Sequence, residues 1–526
     1  MLLRQSVTLC VNVSRWHRQG PSLLLSVCRR SVATGSAAIH EPLHFVDGRR
    51  VLPLNSNSND DFEVLEPATG QPLCTVRSAG AEDVDRAVLS AKAALQKWSR
   101  LSGMERGKIL RQTAIVIRSN LEEIVQTEVH DTGKPIWEVR ADIEACADTM
   151  DYMAGLAPTI VGEHIQLPKG SFAFTKREPI GVVGAIGSFN YPFQMSLWKS
   201  AAALACGNTV VFKPSEKTPL SCVLLGEAYS EAGLPEGCYN VVQGEVKTGG
   251  LLTSHPGVSK VTFTGSVPVG AKVMEACAKD IRKVTLELGG KSPLIIFEDA
   301  DLDNAVKGAM LANFLAQGQV CSNGTRVFVQ RSIMGEFLKR FKARTEKMKI
   351  GNPFDEQTTV GAMITRRQAE NVLMFIDIAK KEGARVVCGG EIVTFDNELS
   401  GGIYISPCIL TNAGDQTTIA REEVFGAVAT VFEFDTEEEV IRRANDTEFG
   451  LAGGVFTKDL GRAFRVASEV EAGVIYVNNY NVYPSELPFG GYKKSGIGRE
   501  NGRAVIEYFT QIKSVYVEMG DVDCPL

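Results

Sequence analysis

The sequence predicts an α/β protein made of two parallel-sheet units that meet near residue 290. Three observations carry this. From 180 to 290, short β-branched runs alternate with helical stretches, the pattern of strands joined by crossovers. The alternation restarts after Val284-Thr285-Leu286-Glu287-Leu288-Gly289-Gly290 and continues to about 470. Two further strand-like runs, 161–179 and 510–520, belong to neither series and read as a small β arm.

Residues 1–40 stand apart as a basic lead. Arg4, Arg15, Arg18, Arg29 and Arg30 lie there, and the first carboxylate is Glu41. That composition is shared by mitochondrial transit segments and by plain tails. From 45 to 80 the pattern is strand-like, with a turn at Pro67-Ala68-Thr69-Gly70. Apolar residues at three- and four-residue spacing predict helices over 81–99, 103–129 and 136–155, broken at Asp131-Thr132-Gly133-Lys134-Pro135. The alternation in 161–174, followed by Arg177-Glu178-Pro179, predicts a projecting hairpin. Strands are expected at 182–186, 209–213, 239–243 and 260–264, with helices at 193–205, 220–232 and 269–278. In the second series, strands at 292–297 and 326–329 alternate with helices at 302–315 and 333–350. Further strands fall near 385, 408 and 430, and helices at 365–382, 436–444 and 460–470. The run 511–517 is expected to pair with the hairpin of another subunit. The units are therefore 41–160 with 180–289, then 290–509, with 161–179 and 510–520 as the arm.

Composition narrows the function. A net charge of −6 argues against a nucleic-acid surface, which needs concentrated positive charge. No apolar run reaches the ~18 residues of a membrane span. The 12 cysteines are scattered singly without a CxxC, which fits reduced thiols and not a disulfide or zinc framework. His40-Glu41-Pro42-Leu43-His44 fits the HExxH pattern, but that pattern works on a helix and Pro42 opposes one. No metal is expected.

Five sites suggest chemistry. Cys321 sits in Gly318-Gln319-Val320-Cys321-Ser322-Asn323-Gly324, among small and amide-bearing residues. Glu287 ends an apolar strand before two glycines, where partial desolvation raises a carboxylate toward a general base's range. Asn190 follows a strand, where its amide can serve an oxyanion or cap the next helix. Gly265 and Ser266 open a helix after a strand, a setting that suits a pyrophosphate. Lys213 and Glu216 end a neighbouring strand, where both can reach a ribose, and the carboxylate disfavours a 2′-phosphate. A thiol, a base, an oxyanion donor and a dinucleotide site together describe oxidation of an aldehyde through a thiohemiacetal and a thioester.

Beyond about residue 45 the chain resembles the aldehyde dehydrogenase superfamily. Val284 to Ser292 and 318–324 resemble its glutamate and cysteine signatures; Glu422-Glu423-Val424-Phe425-Gly426 and Pro488-Phe489-Gly490-Gly491-Tyr492-Lys493-Lys494-Ser495-Gly496 match as well. The resemblance implies a Rossmann-like NAD domain, an α/β catalytic domain and a small β oligomerisation arm that builds dimers or tetramers. It implies Cys321 as nucleophile, Glu287 as base, and Asn190 with the Cys321 N–H around the oxyanion. It also places Lys213, Glu216, Gly265, Ser266, Glu423 and Phe425 on NAD, and Lys199 and Glu500 on a proton route. Ala427 stands where the family usually has proline, which implies a freer loop around Glu423.

Gly162-Glu163-His164-Ile165-Gln166-Leu167-Pro168 and Asn478-Asn479-Tyr480-Asn481 resemble the ω-aminoaldehyde and betaine-aldehyde group. That implies 4-trimethylaminobutyraldehyde, a carnitine-synthesis substrate, with γ-aminobutyraldehyde and betaine aldehyde. Tyr191, Trp198, Tyr480 and Tyr483 lie near the motifs, and aromatic faces attract quaternary ammonium groups, though aromatic residues more often simply pack. A CoA-acylating enzyme would lack the base glutamate, and a silent structural relative would lack Cys321, Glu287 and Asn190. The cytosol is the expected compartment, with the mitochondrial matrix as alternative.

Overall fold

The computed structural model describes residues 42–54 and 60–526. The basic lead and His40-Glu41 lie outside the described residues. His44 starts the strand His44–Val46, not a helix, and its Nδ1 accepts from the Gln243 N–H at 3.2 Å.

The first large sheet has eight strands. In space they run Arg49–Val51, His44–Val46, Tyr239–Val241, Thr209–Lys213, Val182–Ile186, Lys260–Thr264, Lys283–Glu287 and Gly496–Ile497. The five central strands, from Tyr239–Val241 to Lys283–Glu287, pair in parallel. Those at 182–186, 209–213 and 260–264 are buried at every residue, as sheets covered on both faces require. The second sheet has seven strands, in the order Arg385–Cys388, Cys408–Thr411, Val428–Phe434, Arg326–Gln330, Pro293–Ile296, Ala452–Phe456 and Val474–Val477. Only its Arg385–Cys388 edge is antiparallel.

Three corrections arise. The stretch expected as one helix over 103–129 is two, Gly103–Ser119 and Leu121–Thr132. Asn120 leaves helical geometry between them at φ −105° and ψ 19°. The first of these starts with a capping box: the Glu105 N–H donates to Ser102 Oγ at 3.3 Å and the Ser102 N–H to Glu105 Oε2 at 2.7 Å. The helix expected over 333–350 is shorter, Met334–Thr345. The third concerns the arm. Thr510–Val517 pairs antiparallel with Phe172–Pro179 of its own chain, over eight residues from Thr510↔Pro179 to Val517↔Phe172. The hairpin strand His164–Gln166 completes that three-stranded sheet.

The short strand Gly496–Ile497 crosses from the C-terminal half to the edge of the first sheet, pairing Glu287 with Gly496. One backbone register thereby joins two of the sequence motifs beside a candidate base.

Candidate active site

The cysteine loop follows the helix Leu302–Phe314, whose N-cap Asp301 accepts from the Asn304 N–H. The backbone then turns through Ala316, Gln317 and Gly318 at φ 48°, 56° and 75°. Left-handed backbone at non-glycine residues costs about 1–3 kcal/mol each and persists only where the surroundings hold it. Here Glu138 Oε2 accepts from the Ala316 N–H at 3.1 Å. Gly318 lies so close to Gly426 that a Cβ would come within 2.1 Å of its carbonyl carbon. A Cβ on Gly290 would come within 2.6 Å of the Cys321 carbonyl oxygen. The glycine after Gly289 thus lets the cysteine loop close onto the end of the Glu287 strand.

Cys321 is partly exposed. Burial pushes its thiol up, and the carboxylates of Glu423 and Glu287 push it further. Its own N–H and that of Ser322 oppose the shift. Glu287 is buried, and its Oε1 has no hydrogen-bond partner. Desolvation raises its carboxyl well above the ordinary range, Glu500 adds to this, and Lys199 and Arg499 oppose it. An orphaned buried carboxylate oxygen is expensive in a purely structural role.

Asn190 does not cap the helix Pro192–Ala205, which has no side-chain cap bond. Its Nδ2 instead donates to the Gln319 carbonyl at 2.7 Å, and its Oδ1 accepts from Ser188 Oγ at 2.7 Å. The amide therefore faces the cysteine loop and retains a second N–H. Lys199 and Glu500 form a fully buried ion pair, Nζ to Oε1 at 2.5 Å. Thr262 Oγ1 donates to the same oxygen at 3.3 Å, while Glu500 Oε2 has no partner.

The dinucleotide candidates line the first sheet's carboxyl edge. Lys213 is buried, its Nζ donating to the carbonyls of Pro214 and Gly244 at 2.5 and 2.6 Å. Burial draws it down to about 8 against the pull of Glu216. Gly265 donates its N–H to the Glu287 carbonyl at 3.0 Å. Ser266 is the N-cap of Val267–Ala278 but makes no side-chain cap bond. Its hydroxyl and the helix's first N–H groups thus suit a pyrophosphate. Glu423 Oε1 accepts from the Gly290 N–H at 3.2 Å, and burial pushes the carboxyl up to about 7. Phe425, at φ 54°, meets Phe189 edge-on with centroids 5.6 Å apart. Ala427 is buried, and its carbonyl accepts from the Cys408 N–H at 2.8 Å, so the segment around Glu423 is anchored on both sides.

The four aromatic candidates separate. Tyr483 is partly exposed and lines a cavity of about 510 Å³ with Tyr152, Asp148, Asp151 and Glu486. Tyr191 is partly exposed, and Lys134 Nζ lies 4.1 Å from its ring centroid. Trp198 is 4 % exposed and backs Tyr483 and Phe489. Tyr480 is 0 % exposed, and its hydroxyl donates to the Ser322 carbonyl at 3.0 Å. It supports the cysteine loop from behind and is out of a substrate's reach, correcting its place among the pocket aromatics. Asp148 and Asp151, which also line the cavity, each pair with Arg118 at 2.7 Å.

Among the described residues no group of three His, Cys, Asp or Glu is placed to hold a metal, and no helix is long and apolar enough to cross a membrane. The aldehyde dehydrogenase family model matches residues 54–515. The 4-trimethylaminobutyraldehyde dehydrogenase of Homo sapiens is 55% identical over 493 residues, covering 94% of this chain and 99% of the relative. 4-Trimethylaminobutyraldehyde dehydrogenase A of Danio rerio is 55% identical over 495 residues, covering 94% and 97%. Among solved structures, the betaine aldehyde dehydrogenase of Staphylococcus aureus with NAD+ superposes with a TM-score of 0.88 at 37% identity, over 92% of this chain and 96% of that one. An aldehyde dehydrogenase of Bacillus cereus with NAD+ gives 0.88 at 39% identity, over 91% and 97%. The chain belongs to the aldehyde dehydrogenase family.

Proposed function

We propose that Cys321, Glu287 and Asn190 carry the oxidation of a cationic aminoaldehyde to its acid. The observation that carries this reading is the convergence on one loop: the end of the Glu287 strand packs at Gly290 against the Cys321 carbonyl, Glu423 bonds the Gly290 N–H, and Asn190 bonds the Gln319 carbonyl. The protein is an NAD-dependent aldehyde dehydrogenase, and bound NAD supplies the hydride acceptor.

In the proposed chemistry the Cys321 sulfur, as thiolate, adds to the aldehyde carbon. The displaced π pair rests on the oxygen, held by the Asn190 amide and the Cys321 N–H. Loss of hydride from that carbon leaves a thioester on Cys321. Glu287 takes a proton from water, which attacks the thioester and expels the sulfur as the carboxylic acid forms. The proton then has the Lys199–Glu500 pair as its next acceptor group. Lys213 and Glu216 would hold the adenine-side ribose, Gly265 and Ser266 the pyrophosphate, and Glu423 the nicotinamide ribose, with Phe425 beside the ring.

The substrate assigned is 4-trimethylaminobutyraldehyde, with γ-aminobutyraldehyde and betaine aldehyde as lesser substrates. The relatives' names and the aromatic rings of Tyr152 and Tyr483 on the cavity support it, since π faces attract a quaternary ammonium; Asp148 and Asp151 on the same cavity are already paired with Arg118, each at 2.7 Å. A kcat/KM panel with NAD over these three and a plain aliphatic aldehyde tests it; preference for the plain aldehyde would overturn the assignment. The family is usually oligomeric, and a homotetramer is proposed here, the exposed Ile165, Ile512 and Tyr516 of the arm supplying apolar contact surface. Sedimentation tests that number. The cytosol is proposed as the compartment; the free cysteines of the described residues suit its reducing conditions, and fractionation tests it.

A further inference from the structure

Ser322, directly after the proposed nucleophile, is fully buried yet makes two side-chain hydrogen bonds. Its Oγ lies 2.9 Å from Asn481 Oδ1 and 2.5 Å from the Tyr483 hydroxyl. Tyr483 closes the triangle, its hydroxyl 2.7 Å from Asn481 Oδ1. The Asn481 amide orientation is set independently. Its Nδ2 donates to the Leu311 carbonyl at 3.0 Å and to Asn323 Oδ1 at 2.9 Å, so both N–H groups are used and Oδ1 must accept. The two hydroxyls hold two protons for three contacts. One contact of the triangle therefore has no proton at any moment, and each hydroxyl depends on the other's orientation.

Tyr483 also faces outward. It lines the 510 Å³ cavity with Ala145, Asp148, Asp151 and Tyr152. Its ring meets Trp198, Tyr476 and Phe489 at steep angles, with centroids 5.5–6.4 Å apart. These contacts hold the ring, and the hydroxyl triangle holds its polar end.

We propose that Ser322 is a positioning residue for substrate selection: its hydroxyl, with Asn481, holds Tyr483 as the wall between the cavity and the sulfur. Ser322 does not touch the reacting atoms in this role. The thiol's own placement rests elsewhere, on the turn at 316–318 and on Tyr480, which holds the Ser322 backbone carbonyl. Side chain and backbone of one residue thus serve different tasks. The proposal rests on Cys321 as nucleophile.

The test compares Ser322→Ala, Tyr483→Phe and the double variant, with 4-trimethylaminobutyraldehyde and with propanal. Losing one hydrogen bond of the triangle is expected to raise KM for the cationic aldehyde about five- to ten-fold in each single variant, with kcat of Ser322→Ala kept within about two-fold. The double variant is expected to be no worse than the worse single one, because the hydroxyls act as a unit. In Ser322→Ala, KM for the small neutral aldehyde and the rate of Cys321 alkylation by iodoacetamide should stay near the parent values. Additive KM losses, an unchanged KM, or slowed alkylation would each overturn the proposal. Cys321→Ala is the control for the underlying reading: turnover surviving there would overturn that reading, and this one with it.

Discussion

Asn190 Nδ2 and the Gln319 carbonyl oxygen lie 2.7 Å apart, joining the end of a first-sheet strand to the cysteine loop. Both groups are buried, so neither has water as an alternative partner. Asn190→Ala removes the bond and the proposed oxyanion donor together. It is expected to lower kcat by about 10²–10³, as loss of one preorganised donor does. Stability should fall by only about 1–2 kcal/mol, the scale of one buried hydrogen bond. Steady-state kinetics beside urea unfolding separates the two, and a kcat loss no larger than the stability loss would remove Asn190 from the chemistry.

Glu287→Gln is expected to leave the first half-reaction and stall the second. Rapid mixing should show a burst of NADH followed by slow turnover, from a thioester that lacks its base.

The same carboxyl predicts a pH effect on stability. Its folded pKa lies above its ordinary value, so ionising it works against folding. That cost is absent below the unfolded value and grows as pH rises through the folded one. Glu287→Gln should therefore melt higher than the parent near pH 8 and no higher near pH 4.5. A gain confined to acid pH would contradict the sign.

Cys321 is held as a thiol by burial and two carboxyl neighbours. Iodoacetamide should label it slowly near pH 7 in the free protein and faster as pH rises. NAD+ should quicken labelling, since a positive charge beside the sulfur favours the thiolate. Mass spectrometry of the labelled peptide gives the rate, and fast labelling at pH 7 without NAD+ would refute the shift.

Lys199→Met would leave Glu500 buried without its partner. The expected loss is about 3–5 kcal/mol, and the double variant Lys199→Met with Glu500→Gln should recover part of it. If the pair also moves protons, the double variant recovers stability without recovering turnover. Chemical denaturation and kinetics on the same samples decide.

Much of the architecture was legible because it is written in local periodicity. Buried parallel strands such as 182–186 and 209–213 are continuous apolar runs, and helices such as 81–98 show their apolar stripe at fixed spacing. Cys321, Glu287 and Asn190 stood out as candidates for a related reason: each lies beside glycines or at a strand end, where backbone can approach closely. Asn120 was not, because a single departure from helical φ/ψ leaves the apolar period on either side intact.

The sequence by itself determined the α/β class and the family, and it offered Cys321, Glu287 and Asn190 as candidates, since these depend on short-range pattern and residue chemistry. Only the tertiary structure decided that Gly496 pairs with Glu287, that Thr510–Val517 joins its own hairpin, and that Lys199 meets Glu500. It alone separated Tyr480, buried behind the loop, from Tyr483 on the cavity wall. Two tyrosines three positions apart read alike along a chain. Which of them meets solvent depends on segments some 160 residues away, whose approach is set by packing and backbone register.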